Sequence, residues 1–190
     1  TWSLGIENVY KPGSRLSFIP GVSYNLRNSL KAEDYNSSND SIANYPANKN
    51  DALNAQVAAY YKISDAVNLS FNIACKSRFA TMKDRYSYRS GTAIPNPDLK
   101  SESALNLELA STILLGDKLN FRPELFYSRL INTIQMVSNV QGDLSQVQNT
   151  GDAAFKGIDL SFVYQPVTVL NIYAAYSYIQ RKNISNPEIL

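Results

Sequence analysis

A chain of 190 residues with 44% apolar content is long enough for one domain, yet its single cysteine and complete lack of histidine remove whole classes of chemistry. Histidine-dependent nucleophiles, imidazole metal sites, cysteine clusters and internal disulfides are all excluded. The near balance of 18 Lys plus Arg against 16 Asp plus Glu, a net charge of +2, leaves no field that would gather nucleic acid.

No run approaches the roughly 18 consecutive apolar residues of a membrane helix, so a membrane would be crossed only by strands. Alternation of period two dominates from the first residues. Strands are predicted over Trp2–Tyr10 and Arg15–Arg27, joined by Lys11-Pro12-Gly13-Ser14. A long connection, Asn28 to Asp51, follows; its stretch EDYNSSNDSIANYPANKND is too polar to fold alone and is expected to be mobile or ordered by its neighbours. Leu53 to Ile63 and Val67 to Ala74 alternate without a break across the short link Ser64-Asp65-Ala66.

After a second long connection, Thr81 to Ser103, come predicted strands over Leu105–Leu115 and Leu119–Ser128, linked by Gly116-Asp117. A third, Val137 to Asp152, precedes strands at Gly157–Tyr164 and Val169–Ile179 around Pro166-Val167-Thr168. The tail RKNISNPEIL reads as loop. Acidic groups in these connections, Glu33-Asp34 and GDLSQVQNTGD, lack the spaced oxygen ligands of a calcium site and read as solvated charge.

About eight strands result, several longer than the usual five or six residues. About ten residues at roughly 3.3 Å each, tilted by about 45°, match the hydrocarbon thickness of an outer membrane. Short turns alternate with long polar loops, as when periplasmic hairpins are tight and extracellular loops are free to grow. The pattern implies an all-β, antiparallel transmembrane barrel segment. On this orientation both chain ends face outward, which suits a slice of a larger barrel better than a self-contained one.

Leu105, Leu107 and Leu109 would then face lipid, while Asn106, Glu108, Arg122, Glu124 and Asp159 face the lumen; Cys75 falls on the apolar parity. Tyr10, Tyr24, Tyr127, Tyr164 and Tyr176 read as interfacial girdle anchors. Before the Leu105 strand, Pro95 and Pro97 fix an extended entry and the Asp98 side chain is placed to close a local turn. In the preceding loop, DRYSYR interleaves Arg85 and Arg89 with Tyr86 and Tyr88. That grouping suits an anionic aromatic ligand held by charge and cation-π contact, or else an ordinary surface hairpin.

The element NPDLKSE, from Asn96, Pro97, Asp98, Leu99 and Lys100 to Glu102, resembles the NPDLKPE element late in the barrel of TonB-dependent outer-membrane receptors. KSRFATMKDRYSYRSG from Lys76 and NTGDAAFKGIDLSF from Asn149 resemble the stretches flanking it in that family. Ser101 replaces the family's Pro and Asp159 its common Glu. The resemblance implies that residues 1–190 are part of one barrel domain of 22 strands, with the plug and final strands outside this chain. It implies a non-enzymatic transporter without cofactor in the bacterial outer membrane. Its partners would be membrane lipid, TonB acting through the plug, and an imported siderophore-iron complex, haem, cobalamin or glycan. The NPDLK residues read as structural within it. Two other readings stay open at this point: a small autonomous eight-stranded outer-membrane protein with a structural or adhesive role, and a secreted β-sandwich binding module.

Overall fold

The computed structural model describes residues 1–36, 40–87 and 89–185. In chain order the elements are β1 (Trp2–Glu7), β2 (Leu16–Ser29), β3 (Ala32–Asn36), β4 (Ser41–Tyr45), β5 (Asn48–Lys62), β6 (Val67–Arg78) and the short helix α1 (Met82–Tyr86). They continue with β7 (Ala93–Ile94), β8 (Glu102–Leu115), β9 (Leu119–Ile131), β10 (Ile134–Gln141), β11 (Leu144–Asn149), β12 (Ala153–Val167) and β13 (Leu170–Asn183). Eight long strands form one antiparallel sheet in the order β1-β2-β5-β6-β8-β9-β12-β13. An autonomous eight-stranded barrel would pair β1 with β13; here they are not neighbours.

The register carries the sequence alternation across the sheet. Phe71, Leu109, Leu125, Ile158 and Tyr178 fall in one row on one face. Ser70, Ala110, Glu124, Asp159 and Ser177 fall in one row on the other. The apolar face is the open one: Leu109, Leu125 and Tyr178 are 47%, 51% and 54% exposed. A β-sandwich would bury that face against a second sheet. Here it is the surface a bilayer solvates, and Ser111, which shares it, turns its hydroxyl onto the Asn68 carbonyl at 3.1 Å. The other face carries polar pairs, including Gln56 to Glu7 at 2.9 Å and Asn72 to Glu108 at 3.2 Å.

Prolines explain where the ladders break. A residue's N–H and C=O point to the same neighbouring strand, so a proline removes one donor on one side only. Pro20 faces β1, which therefore ends at Glu7 instead of the predicted Tyr10; pairing resumes as an isolated bridge between Tyr10 and Phe18. The β8–β9 ladder skips from Ala110–Glu124 to Ile113–Phe121 where Pro123 faces β8. Pro166, expected in a turn, lies inside β12, and the register with β13 shifts by a bulge between Tyr164 and Val167.

The loops hold more structure than their composition suggests. The predicted loop 28–51 contains the hairpin β3–β4 and the first residues of β5. The predicted loop 137–152 is mostly β10 and β11, which with β7 make a separate three-stranded sheet. Arg181 to Asn183, assigned above to a loop-like tail, extend β13. At the opposite end the connections are tight. Ser64 Oγ accepts from Ala66 and Val67 N–H, and Lys62 Nζ reaches Asp65 at 2.5 Å. This hydrogen bond, and then the Lys62 charge, holds the Asp65 carboxyl below its ordinary value. The pair's contribution is present above the ordinary carboxylate pKa and fades as pH falls through the lowered one; full exposure keeps it small.

Gly157 marks the closest approach within the sheet. A Cβ there would meet the Tyr178 carbonyl oxygen and the Phe126 ring, which lies over the glycine on the polar face. Gly157→Ala is expected to destabilise the full receptor by about 1–3 kcal/mol in denaturant unfolding. Adding Phe126→Ala should not restore it, because the Tyr178 contact is backbone. Wild-type stability of the single variant would contradict this packing.

Candidate functional site

The long connections converge at one end of the sheet, and their organisation begins with α1. Thr81 Oγ1 accepts from Asp84 N–H at 3.1 Å while the Asp84 carboxylate accepts from Thr81 N–H at 2.9 Å, a capping box that starts the helix. The cap sends Arg85 inward, where it is only 3% exposed. Its Nη2 donates to Asn50 Oδ1 at 2.9 Å and to the Leu99 carbonyl at 2.7 Å.

That carbonyl belongs to the turn after Pro95 and Pro97. The turn closes through Leu99 N–H onto the Asn96 carbonyl, and the exposed Asp98 side chain, expected to close it, makes no hydrogen bond among the described residues. Leu99 is 2% exposed and is the one large side chain fully buried among the described residues. Asn96 N–H donates to the Arg85 carbonyl at 2.6 Å and its Nδ2 to the Val147 carbonyl at 2.8 Å. Asn48 Nδ2 donates to the Pro97 carbonyl at 3.0 Å. Asn149 brackets Lys100, accepting from its N–H at 2.9 Å and donating to its carbonyl at 3.2 Å, while the Lys100 side-chain end of the residue lies exposed. Glu102 accepts from Ile134 N–H at 2.9 Å and from Arg78 Nε at 3.3 Å.

Residues 95–102 are thus clamped from β5 on one side and from β10–β11 on the other, which ties three connections into one crown. The asparagines that do this, Asn48, Asn50 and Asn149, were invisible as partners in the sequence, where they read as solvated loop. The one signal was that NPDLKSE and the stretch opening at Asn149 resemble elements of the same family, without any indication that they touch.

The four residues grouped by DRYSYR are not equivalent. Arg85 is committed to the crown. Tyr86 is half-buried, its hydroxyl donating to the Pro46 carbonyl at 3.2 Å and its ring 5.1 Å from that of Tyr45. Arg89 is exposed, in the left-handed region at φ 44°, with its carbonyl accepting from Thr92. Tyr88 lies outside the described residues. No group of three or more His, Cys, Asp or Glu among the described residues is arranged to hold a metal ion.

An open antiparallel sheet of long strands, apolar outside and polar inside, with tight turns at one end and a loop crown at the other, defines a wall of an outer-membrane β-barrel. The profile of the family described as TonB dependent receptor-like, beta-barrel, matches residues 1–188, and the chain belongs to that family. Its barrels are integral outer-membrane proteins, which makes the crown extracellular. No curated protein matches in sequence. Among solved structures the fold is similar to the copper transporter OprC, at 17% identity and TM-score 0.79 over 97% of this chain and 29% of that one. It is similar also to the siderophore receptor PirA from Pseudomonas aeruginosa, at 13% identity and TM-score 0.74 over 97% of this chain and 32% of that one. A third likeness is the FrpB iron transporter from Neisseria meningitidis, at 14% identity and TM-score 0.70 over 95% of this chain and 25% of that one. The chain spans about a third or less of these structures.

Arg85→Ala would leave the Leu99 carbonyl and Asn50 Oδ1 without their charged donor, a loss of roughly 1.5–3 kcal/mol. In the full receptor, amide exchange across residues 92–101 and 145–149 is expected to speed up while mid-strand amides of β8 stay unchanged. Unchanged exchange in both regions would show that Arg85 does not hold the crown.

Proposed function

We propose that the whole protein is an outer-membrane active transporter that captures a scarce large ligand at the extracellular crown and imports it with energy delivered through TonB. Family membership over residues 1–188 carries the reading. The chain contributes part of a single larger barrel domain, and the plug that contacts TonB belongs to the remainder of the protein. The role is transport, not enzymatic turnover.

Siderophore-bound iron is the first ligand class to test. The solved neighbours named above include a siderophore receptor and an iron transporter, and the Tyr45–Tyr86 ring pair, with the exposed Arg89 three residues on from Tyr86 in sequence, offers the aromatic and cationic groups an anionic aromatic chelate would use. Copper, haem, cobalamin and glycans complete the panel. Tyr86 and Arg89 are assigned to ligand contact, with Tyr88 from the sequence pattern, and Arg85 to positioning through the crown.

Cells carrying the full receptor should accumulate one labelled member of this panel, and a protonophore or loss of TonB should abolish accumulation while leaving surface binding intact. Energy-independent accumulation would refute the reading. Arg89→Ala should weaken binding of that ligand by about 1 kcal/mol, roughly fivefold in Kd; an unchanged Kd removes Arg89 from the site.

A further inference from the structure

The membrane-facing side of the sheet carries a cationic cluster where apolar residues would be expected to fade into uncharged polar ones. At the extracellular ends of β9, β12 and β13, the outward row Arg129–Ala154–Lys182 lies next to the row Tyr127–Lys156–Gln180. Lys156 is therefore diagonal to both Arg129 and Lys182, a separation of roughly 7–8 Å between Cα atoms. The next row inward, Leu125–Ile158–Tyr178, is apolar and exposed.

Three cations on adjacent strands repel one another. Only one has a partner: Arg129 Nη2 meets Asp152 at 2.9 Å. Lys156 and Lys182 are exposed and make no ion pair among the described residues. Arg181, between them in sequence, points to the opposite face, where it lies 5.6 Å from the centre of the Phe155 ring.

We propose that Lys156 and Lys182, with Arg129 alongside, bind the phosphate of a phosphorylated glycolipid in the outer leaflet of the outer membrane. The cluster is continuous with the lipid-facing belt, one row above exposed apolar side chains, so an anion held there has its acyl chains against Leu125 and Ile158. A soluble anion would gain nothing from that neighbour. A lipid headgroup gains both contacts, and its charge offsets the repulsion among the cations. Ammonium and guanidinium groups supply donors to phosphate oxygens with no acceptor of their own.

The test uses the full receptor in detergent, with bisphosphorylated lipid A, its dephosphorylated form and inorganic phosphate as probes, read by bound lipid in native mass spectrometry. Lipid A should bind the wild type and bind Lys156→Gln/Lys182→Gln roughly 25-fold more weakly, from about 1 kcal/mol for each lysine at an anionic lipid surface. Lys156→Arg/Lys182→Arg should keep binding, which separates lost charge from lost fold. Dephosphorylated lipid should not distinguish wild type from variant. Equal lipid A binding by the Gln variant would overturn the proposal, as would displacement of lipid A by millimolar inorganic phosphate.

Discussion

Hydrocarbon offers no hydrogen-bond partner, so each backbone N–H and C=O that enters it must be satisfied by a neighbouring strand. Long antiparallel ladders follow from that requirement, and so do their exceptions. Pro20 stands where β1 gives out, Pro123 opposite a gap in the β8 ladder, and Pro166 at a bulge near a tight turn. Ser111 can sit among lipid-facing residues because its hydroxyl is spent on a carbonyl. The same demand does not apply to the polar face, where Glu108, Glu124 and Asp159 stay in contact with a lumen.

Turning apolar side chains outward leaves the wall without an ordinary core. Side-chain burial is instead concentrated at the extracellular end, around Leu99, Arg85, Ala93 and Thr133. Order there rests on side-chain to backbone hydrogen bonds more than on apolar area, with asparagines from two other connections, Asn48 and Asn149, gripping the turn between Asn96 and Lys100. The crown is in this respect closer to a hydrogen-bonded knot than to a hydrophobic cluster. Such a knot holds the long loops in one arrangement while other residues of theirs, Arg89 among them, stay exposed.

Strand positions and faces were legible in the sequence because the period-two alternation is a direct image of the pleat, and a one-residue slip would exchange lipid and lumen for every side chain. Strand ends were not, because β2, β5 and β6 continue past the apolar belt with polar residues that carry no membrane signal, and in the added ends of β9 and β12 the alternation inverts, with Leu130 and Phe155 on the lumen parity and Arg129 and Lys156 on the lipid parity. The hairpins β3–β4 and β10–β11 were hidden for the same reason: DYNSSNDSIANY and MVSNVQGDLSQV read as solvated loops, although backbone pairing needs no apolar face. NPDLK was recognisable as a structural element, but its partners lie about 50 residues away on either side and only the fold brings them together. DRYSYR was read as one cluster; the helix cap at Thr81 divides it by turning Arg85 inward.

The central claim is that one face of this sheet meets lipid and the other a polar lumen. Spin labels placed singly from Leu105 to Ala110 in the full receptor, in a bilayer, test it through their accessibility to oxygen and to a water-soluble relaxation agent. Alternation of period two, with positions 105, 107 and 109 open to oxygen and 106 and 108 to the polar agent, is the result this account requires. Uniform accessibility along the strand, or the reverse alternation, would contradict it.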